Sequence, residues 1–260
     1  MTGDADPIRS DIAWSTRDRI VVRGKDLPGE IIGHLDLGAF AFLQITGRVP
    51  DAAQARLFNA ILVTLAEHGI TPSVIAARMT YLGAPEAMQA AVAAGLCGLG
   101  SVFVGSTEDA ARMLLEELPQ GKPPADLAAA ADAVVAAFRQ RGAAVPGLGH
   151  PVHKPLDPRT TRLFALAEEC GYSGSYVAFM QEIAAAAARA SQRPLPVNAT
   201  GAVGALCCEL GLPVQAVRGI GVIARAVGLV GHILEEAVHP MAREVWRRTE
   251  EAASAHLRST

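Results

Sequence analysis

The sequence has few aromatic residues, and its apolar and polar residues rarely alternate as they do in β-strands. Both observations reduce the number of fold classes that fit. Only 5% of its 260 residues are aromatic, whereas 50% are hydrophobic, so small aliphatic side chains must build the core. Alanine loses no side-chain entropy in a helix, and its small volume lets helices pack closely. A chain of this length buries a sizeable core. The composition therefore predicts an all-α protein.

The sequence also lacks long runs of one charge and long uninterrupted apolar stretches. Its formal net charge is −3, and the densest basic pair, Arg247 and Arg248, fits a solvated helix face. The most apolar segment, residues 220–234, contains Arg225 and His232, so it is predicted to be a buried helix. Without a basic footprint or a clean apolar span, we expect neither nucleic acid nor a membrane as a partner.

Cysteine usage and the first residues point to a reducing compartment. The four cysteines include no CxxC pair, and Cys207 and Cys208 are adjacent, which is a poor geometry for an unstrained disulfide. The N-terminus lacks the basic-then-apolar layout of a signal peptide. We therefore expect a cytoplasmic protein with reduced cysteines.

Helical spacing of apolar residues covers most of the chain, with stop and cap residues between the segments. Residues 19–23 could form a short strand or an extended arm. Residues 142–158 are dense in Gly, Pro and His, and they predict a structured loop that carries function. The predicted helices cover residues 39–45, a segment that Asp51 caps and His68 and Gly69 close, one that begins at Ser73, and residues 85–97, 107–118, 126–141, 160–170, 176–191, 201–210, 214–236 and 240–255.

The strongest chemical pattern runs from Pro146 to Arg159 and reads PGLGHPVHKPLDPR. Its glycines let backbone approach a ligand closely, and they lead into His150. A histidine can polarise a carbonyl or donate a proton near neutrality. Arg159 follows at a helix start, where a guanidinium can grip a carboxylate with two parallel hydrogen bonds.

This segment resembles the G-x-G-H-x-V-x-x-x-x-D-P-R signature of citrate synthases. The resemblance implies that His150 contacts the carbonyl oxygen of oxaloacetate and that Arg159 binds a substrate carboxylate. It also implies that the loop before His150 recognises the adenine of coenzyme A, and Lys154 could contact a phosphate of the same molecule. The implied coenzyme A-binding residues are Pro146, Gly147, Leu148, Gly149 and Lys154.

Other segments resemble the family in the same order along the chain. Glu67-His68-Gly69 resembles the D-H-G of ATP-citrate lyase, whose His binds citrate. Residues 95–105 resemble its G-L-L-x-x-G-D-x-F-x-G, and residues 198–201 stand where the family has N-V-D-G. Residues 225–232 resemble R-x-x-G-x-x-G-H, so Arg225 is implied to bind a carboxylate. The resemblance covers nearly the whole chain, whose short length is similar to that of small citryl-CoA lyases.

Three departures from the family pattern refine the expectation. Ser101 stands where citrate synthase has the His that polarises the thioester carbonyl, and citryl-CoA-cleaving relatives lack that His too. Thr200 stands where the family has its catalytic Asp, and a hydroxyl cannot titrate near neutrality. Pro151 stands where ATP-citrate lyase has an Arg. We therefore expect Ser101 and Thr200 at the reacting atoms, with His150, in a lyase rather than a synthase.

The resemblance implies a citrate synthase-like fold. A large helical domain would comprise residues 1–105 and 202–260, and a smaller one, residues 106–201, would bind coenzyme A. The implied protein is a homodimer that cleaves citryl-CoA to acetyl-CoA and oxaloacetate, with His68, Arg159 and Arg225 on the dicarboxylate. Two alternatives stay open: a Claisen or retro-Claisen reaction on another acyl-CoA, and a non-catalytic CoA-ester or carboxylate sensor.

Simpler roles exist for several of these residues. Arg159 could form a salt bridge with Asp157. Arg225 interrupts an apolar helix, where a guanidinium without a partner is costly, so a ligand carboxylate or a structural Glu such as Glu209 would have to meet it. The pair His150 and His153 has a spacing that zinc sites use, but no third ligand stands at a recognised distance. We therefore expect no metal.

Overall fold

The computed structural model describes residues 8–149 and 156–258, and helices dominate both ranges. A small antiparallel sheet of β1 (Ala13–Ser15), β2 (Ile20–Val22) and β3 (Lys25–Asp26) precedes them. The helices are α1 (Leu37–Thr46), α2 (Ala52–Ala66), α3 (Pro72–Gly83), α4 (Met88–Cys97), α5 (Ser106–Glu117), α6 (Leu127–Gln140), α7 (Pro158–Glu169), α8 (Ser175–Ser191), α9 (Ala199–Glu209), α10 (Val214–Val238) and α11 (Ala242–Ser254).

The chain divides into two compact units, and the first one ends at Asn59. Its sheet pairs Trp14 with Val21. Residues 19–23, for which the sequence allowed a strand or an extended arm, therefore contain strand β2. Beneath the sheet, Val22 packs with apolar residues of α1 and of the turn before it. The rings of Phe42 and Phe58 meet edge to face with centroids 5.4 Å apart.

The cap predicted at Asp51 is confirmed in detail. The Asp51 carboxylate accepts the backbone N–H of Gln54 at 2.8 Å, and the Gln54 side chain accepts the N–H of Asp51 at 3.1 Å. This reciprocal pair is a capping box, which satisfies two donors that the helix itself leaves free. Local sequence therefore fixes where α2 begins.

The second unit runs from Ala60 to the C-terminus, and small residues set its helix packing. Helix α5 lies on α9 at Gly204, where an added Cβ would stand 2.9 Å from the Cβ of Ala110. Helix α9 also contacts α7 and α8, while α10 contacts α3, α4 and α5. At Gly95 an added Cβ would stand 2.9 Å from the carbonyl oxygen of Ser73 in α3 and 2.7 Å from the side chain of Leu229 in α10, so the close approach of α3 to α4 requires this glycine. The alanine-rich composition thus serves close helix contacts.

The expectation of a buried helix over residues 220–234 is only half right. The segment is helical, but one face of α10 is exposed, because its apolar residues continue around the helix beyond the contacts with α3, α4 and α5. This exposed stripe consists of Ile223, Val227, Val230, Leu234 and Val238.

Helix α10 is also long and apolar enough to cross a membrane, as is the bent pair of α4 with residues 101–117. Length and composition alone mark both, and core helices of soluble proteins pass the same test. The expected absence of a membrane partner therefore stays a prediction.

The other predicted helices are found within a few residues of their expected ends. Helix α5 begins at Ser106, one residue before its predicted start and directly after a π-helical turn, Ser101–Gly105. The Ser106 hydroxyl donates back to Phe103 O at 2.7 Å and does not cap the helix. The predicted loop over 142–158 lies partly outside the described residues. The predicted division at residues 105 and 202 stays a prediction.

Candidate active site

Asn198 organises the start of α9. Its Oδ1 accepts the backbone N–H of Gly201 at 3.1 Å and the hydroxyl proton of Thr200 at 2.7 Å. Its Nδ2 donates to Gly149 O at 2.7 Å. One side chain therefore caps the helix, orients Thr200 and holds the end of the glycine loop, which matches the preference for Asn at N-caps.

The predicted coenzyme A loop lies directly against this helix start. Gly147 has φ +82°, and an added Cβ there would stand 2.5 Å from the Cα of Gly201. Leu148 forms an antiparallel bridge with Val197, and Gly149 N donates to Pro196 O at 2.8 Å. Because no side chain fits between Gly147 and Gly201, the glycines here serve backbone approach. Pro146 and Leu148 are half-buried beside them.

Arg159 is tied to Asp157 by two parallel hydrogen bonds. Its Nε and Nη2 donate to the two carboxylate oxygens at 3.0 and 2.8 Å, and Asp157 is 1% exposed. Asp157 also accepts the N–H of Arg159 at the start of α7 and that of Ala199 at the start of α9. Burial acts to raise the pKa of the Asp157 carboxyl, but Arg159 and these amides outweigh it and hold the pKa below its usual value.

These residues form one group, which we call the α9 cap cluster: Gly147, Gly149, Asp157, Arg159, Asn198 and Thr200. The salt bridge that the sequence offered as a simpler role for Arg159 is present. The charge of Arg159 is therefore already balanced by Asp157, and its predicted role on a substrate carboxylate stays a prediction.

Arg225 differs from Arg159 in that two nitrogens of its guanidinium have no hydrogen-bond partner in the described structure. Its Nε and Nη1 are buried and have no hydrogen-bond partner among the described residues. Burial lowers the pKa of its guanidinium, and the negative charge of Glu67 opposes that shift. Glu209, the structural alternative, instead accepts the N–H groups of Tyr176 and Val177 at the start of α8. A buried guanidinium without a partner is what a carboxylate-binding site requires.

Glu67 lies between the predicted citrate-binding turn and α10. Its Oε1 accepts the N–H groups of His68, at 2.7 Å, and of Gly69. Its Oε2 lies 3.0 Å from Nε2 of His232, although the ring N–H does not align as a hydrogen bond. Burial acts to raise the pKa of Glu67, but His232 and the two amides hold it below its usual value. His68 itself is exposed beside this carboxylate.

Arg78 completes this group and was missed from the sequence. It is 1% exposed and donates to Glu236 at 2.9 Å, to Glu235, and to Nδ1 of His232 at 2.9 Å. Its position one helical turn after the buried Val74 is the signal that could have found it. We call Glu67, His68, Arg78, Arg225 and His232 the α10 cluster.

Ser101 begins the π-helical turn before α5 and is exposed. Val104 of this turn packs against Gly221, where an added Cβ would stand 2.4 Å from the valine side chain. Gly221 precedes Arg225 by four residues, which is about 6 Å along the helix axis. The turn therefore docks on α10 about one helical turn from the unpartnered guanidinium.

Two predicted site residues, His150 and Lys154, lie outside the described residues, so their predicted roles are untested. Among residues 8–149 and 156–258, no group of three His, Cys, Asp or Glu side chains could hold a metal ion. His150 and His153 are not included in that search, so the expected absence of a metal stays a prediction. None of the four cysteines, all of which lie in the described ranges, forms a disulfide.

A cavity of about 380 Å³ borders the α9 cap cluster at Asp157. The Thr160 hydroxyl at its wall is buried and has no hydrogen-bond partner in the described part of the chain. The remaining wall is mainly apolar and comes from α7, α8 and the connector before α9. The lining residues are Leu156, Asp157, Thr160, Thr161, Phe164, Gln181, Ala184, Pro196 and Val197.

Comparison with known proteins agrees with this geometry. Residues 22–248 match the family model described as citrate synthase, C-terminal domain. The chain belongs to the citrate synthase family. It is 26% identical over 217 residues to the citrate synthase of Haloferax volcanii, with 82% of this chain and 55% of that protein covered. The chain thus spans about half the length of this curated relative.

Solved structures of the family show the same fold. A citryl-CoA lyase from Hydrogenobacter thermophilus superposes with a TM-score of 0.80 and 30% identity, over 88% of this chain and 86% of that one. An ATP citrate lyase from Methanothrix soehngenii, solved with citrate and coenzyme A, superposes with a TM-score of 0.74 and 20% identity, over 90% and 39%. The protein therefore has the citrate synthase-like all-α fold.

Proposed function

We propose that the protein is a citryl-CoA lyase that cleaves citryl-CoA to acetyl-CoA and oxaloacetate. The observation that carries the proposal is that two buried nitrogens of Arg225, Nε and Nη1, have no hydrogen-bond partner among the described residues, while the guanidinium lies within the electrostatic reach of Glu67. A substrate carboxylate would meet this charge with hydrogen bonds that the free protein lacks. The likeness to a citryl-CoA lyase over most of both chains supports the same choice.

In this mechanism Arg225, His68 and Arg159 hold the carboxylates of the citryl group. The carbinol oxygen loses its proton and becomes the keto oxygen of oxaloacetate, while the adjacent carbon–carbon bond breaks. His150 is the group we assign to that oxygen. The electron pair of the broken bond forms the enolate of acetyl-CoA, whose oxygen needs donors such as Ser101 and nearby amides. The coenzyme A moiety lies along Pro146–Gly149 and Lys154.

The enolate must then gain a proton, and Thr200 shapes how. The Thr200 hydroxyl already donates to Asn198 Oδ1, so its remaining role is to accept a hydrogen bond. A water molecule that donates one proton to Thr200 can direct its other proton to the enolate carbon. The hydroxide left behind is neutralised by the proton that the carbinol releases, so the reaction balances.

Incubation of the purified protein with citryl-CoA tests this proposal directly. We expect acetyl-CoA and oxaloacetate to appear in equal amounts, with very weak citrate synthesis in the opposite direction. Synthesis is weak because it requires a positioned base to remove a methyl proton, and Thr200 cannot titrate. Condensation at ordinary citrate synthase rates, or no cleavage at all, would contradict the proposal.

The same site supports a second candidate, a sensor that binds a CoA ester or carboxylate without turnover. The observation in its favour concerns Thr200, which stands at the position of the catalytic Asp. Its hydroxyl proton is already donated to Asn198 Oδ1 at the start of α9, so it is not available to a substrate. Binding of coenzyme A without cleavage of any acyl-CoA would select this candidate. Cleavage of another acyl-CoA would instead select a related retro-Claisen enzyme.

We also propose that the chain works as a cytoplasmic homodimer. The exposed stripe on α10 spans about four helical turns, and a monomer leaves it in water. A second copy of the same helix would cover it with an equivalent apolar face. We expect Val227→Asp to shift the protein to a monomer in sedimentation experiments, while the exposed polar change Glu251→Gln leaves it dimeric. A monomeric wild type would contradict this.

A further inference from the structure

Glu67 occupies a position that the proposed reaction does not explain by itself. Its carboxylate holds the His68–Gly69 turn through two backbone N–H groups, and the next residue, His68, is a proposed substrate ligand. A structural carboxylate could do this anywhere on the surface. Here, however, it is also the acid whose charge acts on Arg225.

His232 and Arg78 restrain Glu67 from the other side. Arginine can only donate, so the 2.9 Å contact of Arg78 Nη2 with His232 Nδ1 requires Nδ1 to accept. The ring proton of the neutral imidazole is then on Nε2, the nitrogen that lies 3.0 Å from Glu67 Oε2. Arg78 in turn is fixed by the buried Glu236, which accepts from its Nη1 at 2.9 Å. The half-exposed carboxylate of Glu67 therefore faces His232 at one end of a chain of contacts that leads to the buried Arg78 and Glu236.

Close helix packing brings Glu67 near Arg225. An added Cβ at Gly228 would stand 3.1 Å from Glu67 Oε2 and would collide with the carbonyl oxygen of Ala66. Arg225 is three residues before Gly228, and residues at that spacing lie about 5–6 Å apart on one helix face. A carboxylate bound to Arg225 would thus be a near neighbour of Glu67.

We propose that Glu67 is a specificity-determining positioning residue of the carboxylate site. It fixes the turn that carries His68, and its charge limits how much negative charge a ligand can bring to Arg225. The inference rests on the proposed function for the identity of the ligand. It differs from a purely structural role in one respect: removing the charge while keeping the acceptor oxygen improves ligand binding.

The test is the affinity of the full-length protein for citrate, measured by titration calorimetry. Glu67→Gln keeps an oxygen that accepts the two N–H groups but removes the charge. We expect it to bind citrate roughly three- to thirtyfold more tightly, the range for one like charge removed at this separation in a partly hydrated site. Glu67→Ala removes the acceptor as well, so it should bind more weakly than Glu67→Gln by at least several-fold.

A second readout separates charge from structure. The gain of Glu67→Gln should shrink as salt is raised to about 1 M, where the Debye length falls to about 3 Å. The control is Glu251→Gln, which removes one charge from the exposed surface of α11 and should leave citrate affinity unchanged.

Equal or weaker citrate binding by Glu67→Gln, including no detectable binding by either protein, would overturn the inference. Cleavage of citryl-CoA by such a protein would leave the proposed function in place. Conversely, tighter citrate binding by Glu67→Gln without cleavage by the wild type would support the inference and reject the lyase.

Discussion

Two arginines predicted to bind substrate carboxylates are in opposite states. Arg159, in the α9 cap cluster, is paired with the buried Asp157 through two hydrogen bonds. Arg225, in the α10 cluster, keeps two buried nitrogens without a hydrogen-bond partner in the described structure. The first arrangement stabilises the free protein, whereas the second is costly until a ligand arrives.

The contrast indicates that one cluster orients its arginine in the free protein, whereas the other leaves its arginine available to bind a ligand carboxylate. Asp157 accepts N–H groups from the first turns of α7 and α9, so it joins the two helix starts and orients Arg159 even in the absence of ligand. Arg225 gains most from a bound anion, because each hydrogen bond it forms there replaces none in the protein. Stability and binding energy are thus placed in different clusters, as trade-offs at functional sites require.

The largest expected change in stability tests how closely the glycine loop packs against the start of α9 in the α9 cap cluster. Gly147→Ala would place an alanine in the left-handed conformation that Gly147 adopts, which costs about 1–2 kcal/mol. The added Cβ would also overlap the backbone of Gly201. Overpacking adds about 1–3 kcal/mol, so urea unfolding should show a loss of roughly 2–5 kcal/mol. The control Gly142→Ala has φ +63° and open space, so only the conformational cost applies. Equal losses in the two variants would contradict the close approach.

The next prediction breaks the comparison between the arginines directly. Arg225→Met removes a cation whose Nε and Nη1 are buried without hydrogen-bond partners in the described structure, so we expect the free energy of unfolding to rise by about 1–3 kcal/mol. Citrate affinity should fall more than tenfold, because charge-assisted hydrogen bonds are lost. Arg159→Met should instead destabilise by about 2–4 kcal/mol, since it leaves Asp157 buried without its cation. Shifts of the same sign in thermal unfolding would refute the contrast.

Two helix-capping carboxylates give a smaller, pH-dependent version of the same contrast. Asp157 has a cation, and its pKa is lowered; its contribution to stability is present above the unfolded pKa near 4 and is lost as the pH falls. Glu209 accepts N–H groups at the start of α8 and has no cationic partner among the described residues, and burial raises its pKa despite those amides. Its contribution is present below the unfolded pKa near 4.3 and is lost as the pH rises through the raised value.

Urea midpoints between pH 3 and pH 7 check these two signs. Asp157→Asn should flatten the loss of stability on the acid side, and Glu209→Gln should flatten the decline that begins above about pH 4.3. Glu209→Gln keeps the single oxygen that accepts both N–H groups at the start of α8. Asp157→Asn keeps only one of the two oxygens that cap α7 and α9, so it lowers stability overall and the test is the slope of stability against pH. A steeper acid limb in Asp157→Asn would reverse the assignment.

Local signals in the sequence were sufficient for the helices. Each of three helix starts is fixed by hydrogen bonds between residues at most three positions apart. These are the capping box of Asp51 and Gln54, the Asp157-Pro158 start of α7 and the Asn198 cap of α9. Patterns of this kind fix element ends because the interacting groups are close in sequence. The family signature added the ligand expected at each site residue, and the family and the fold were confirmed.

The parts that escaped prediction depend on contacts between distant residues. Arg78 bonds to His232 and Glu236 across more than 150 positions, so nothing around Ser73–Gly83 announces its partners. The pairing of Arg159 with Asp157 was visible in the sequence, but its strength depends on the burial of Asp157, which only the packing of α7 on α9 decides. The exposed stripe on α10 likewise follows from which helices cover it.

The smallest expected effect concerns Thr200, where the α9 cap cluster meets the chemistry. Thr200→Asp replaces a hydroxyl that donates to Asn198 Oδ1 with an acceptor that repels it, but a carboxylate in the first turn of α9 is favoured by the helix dipole. These effects oppose each other, so stability should change by less than about 1 kcal/mol. The new carboxylate can remove a methyl proton, so exchange of acetyl-CoA protons in deuterated water should rise several-fold above wild type. Proton NMR of the acetyl methyl group measures this, and Thr200→Asn, which cannot titrate, is the control. Equal exchange in Thr200→Asp and Thr200→Asn would show that this position does not face the acetyl carbon, and the water-relay role of Thr200 would fall with it.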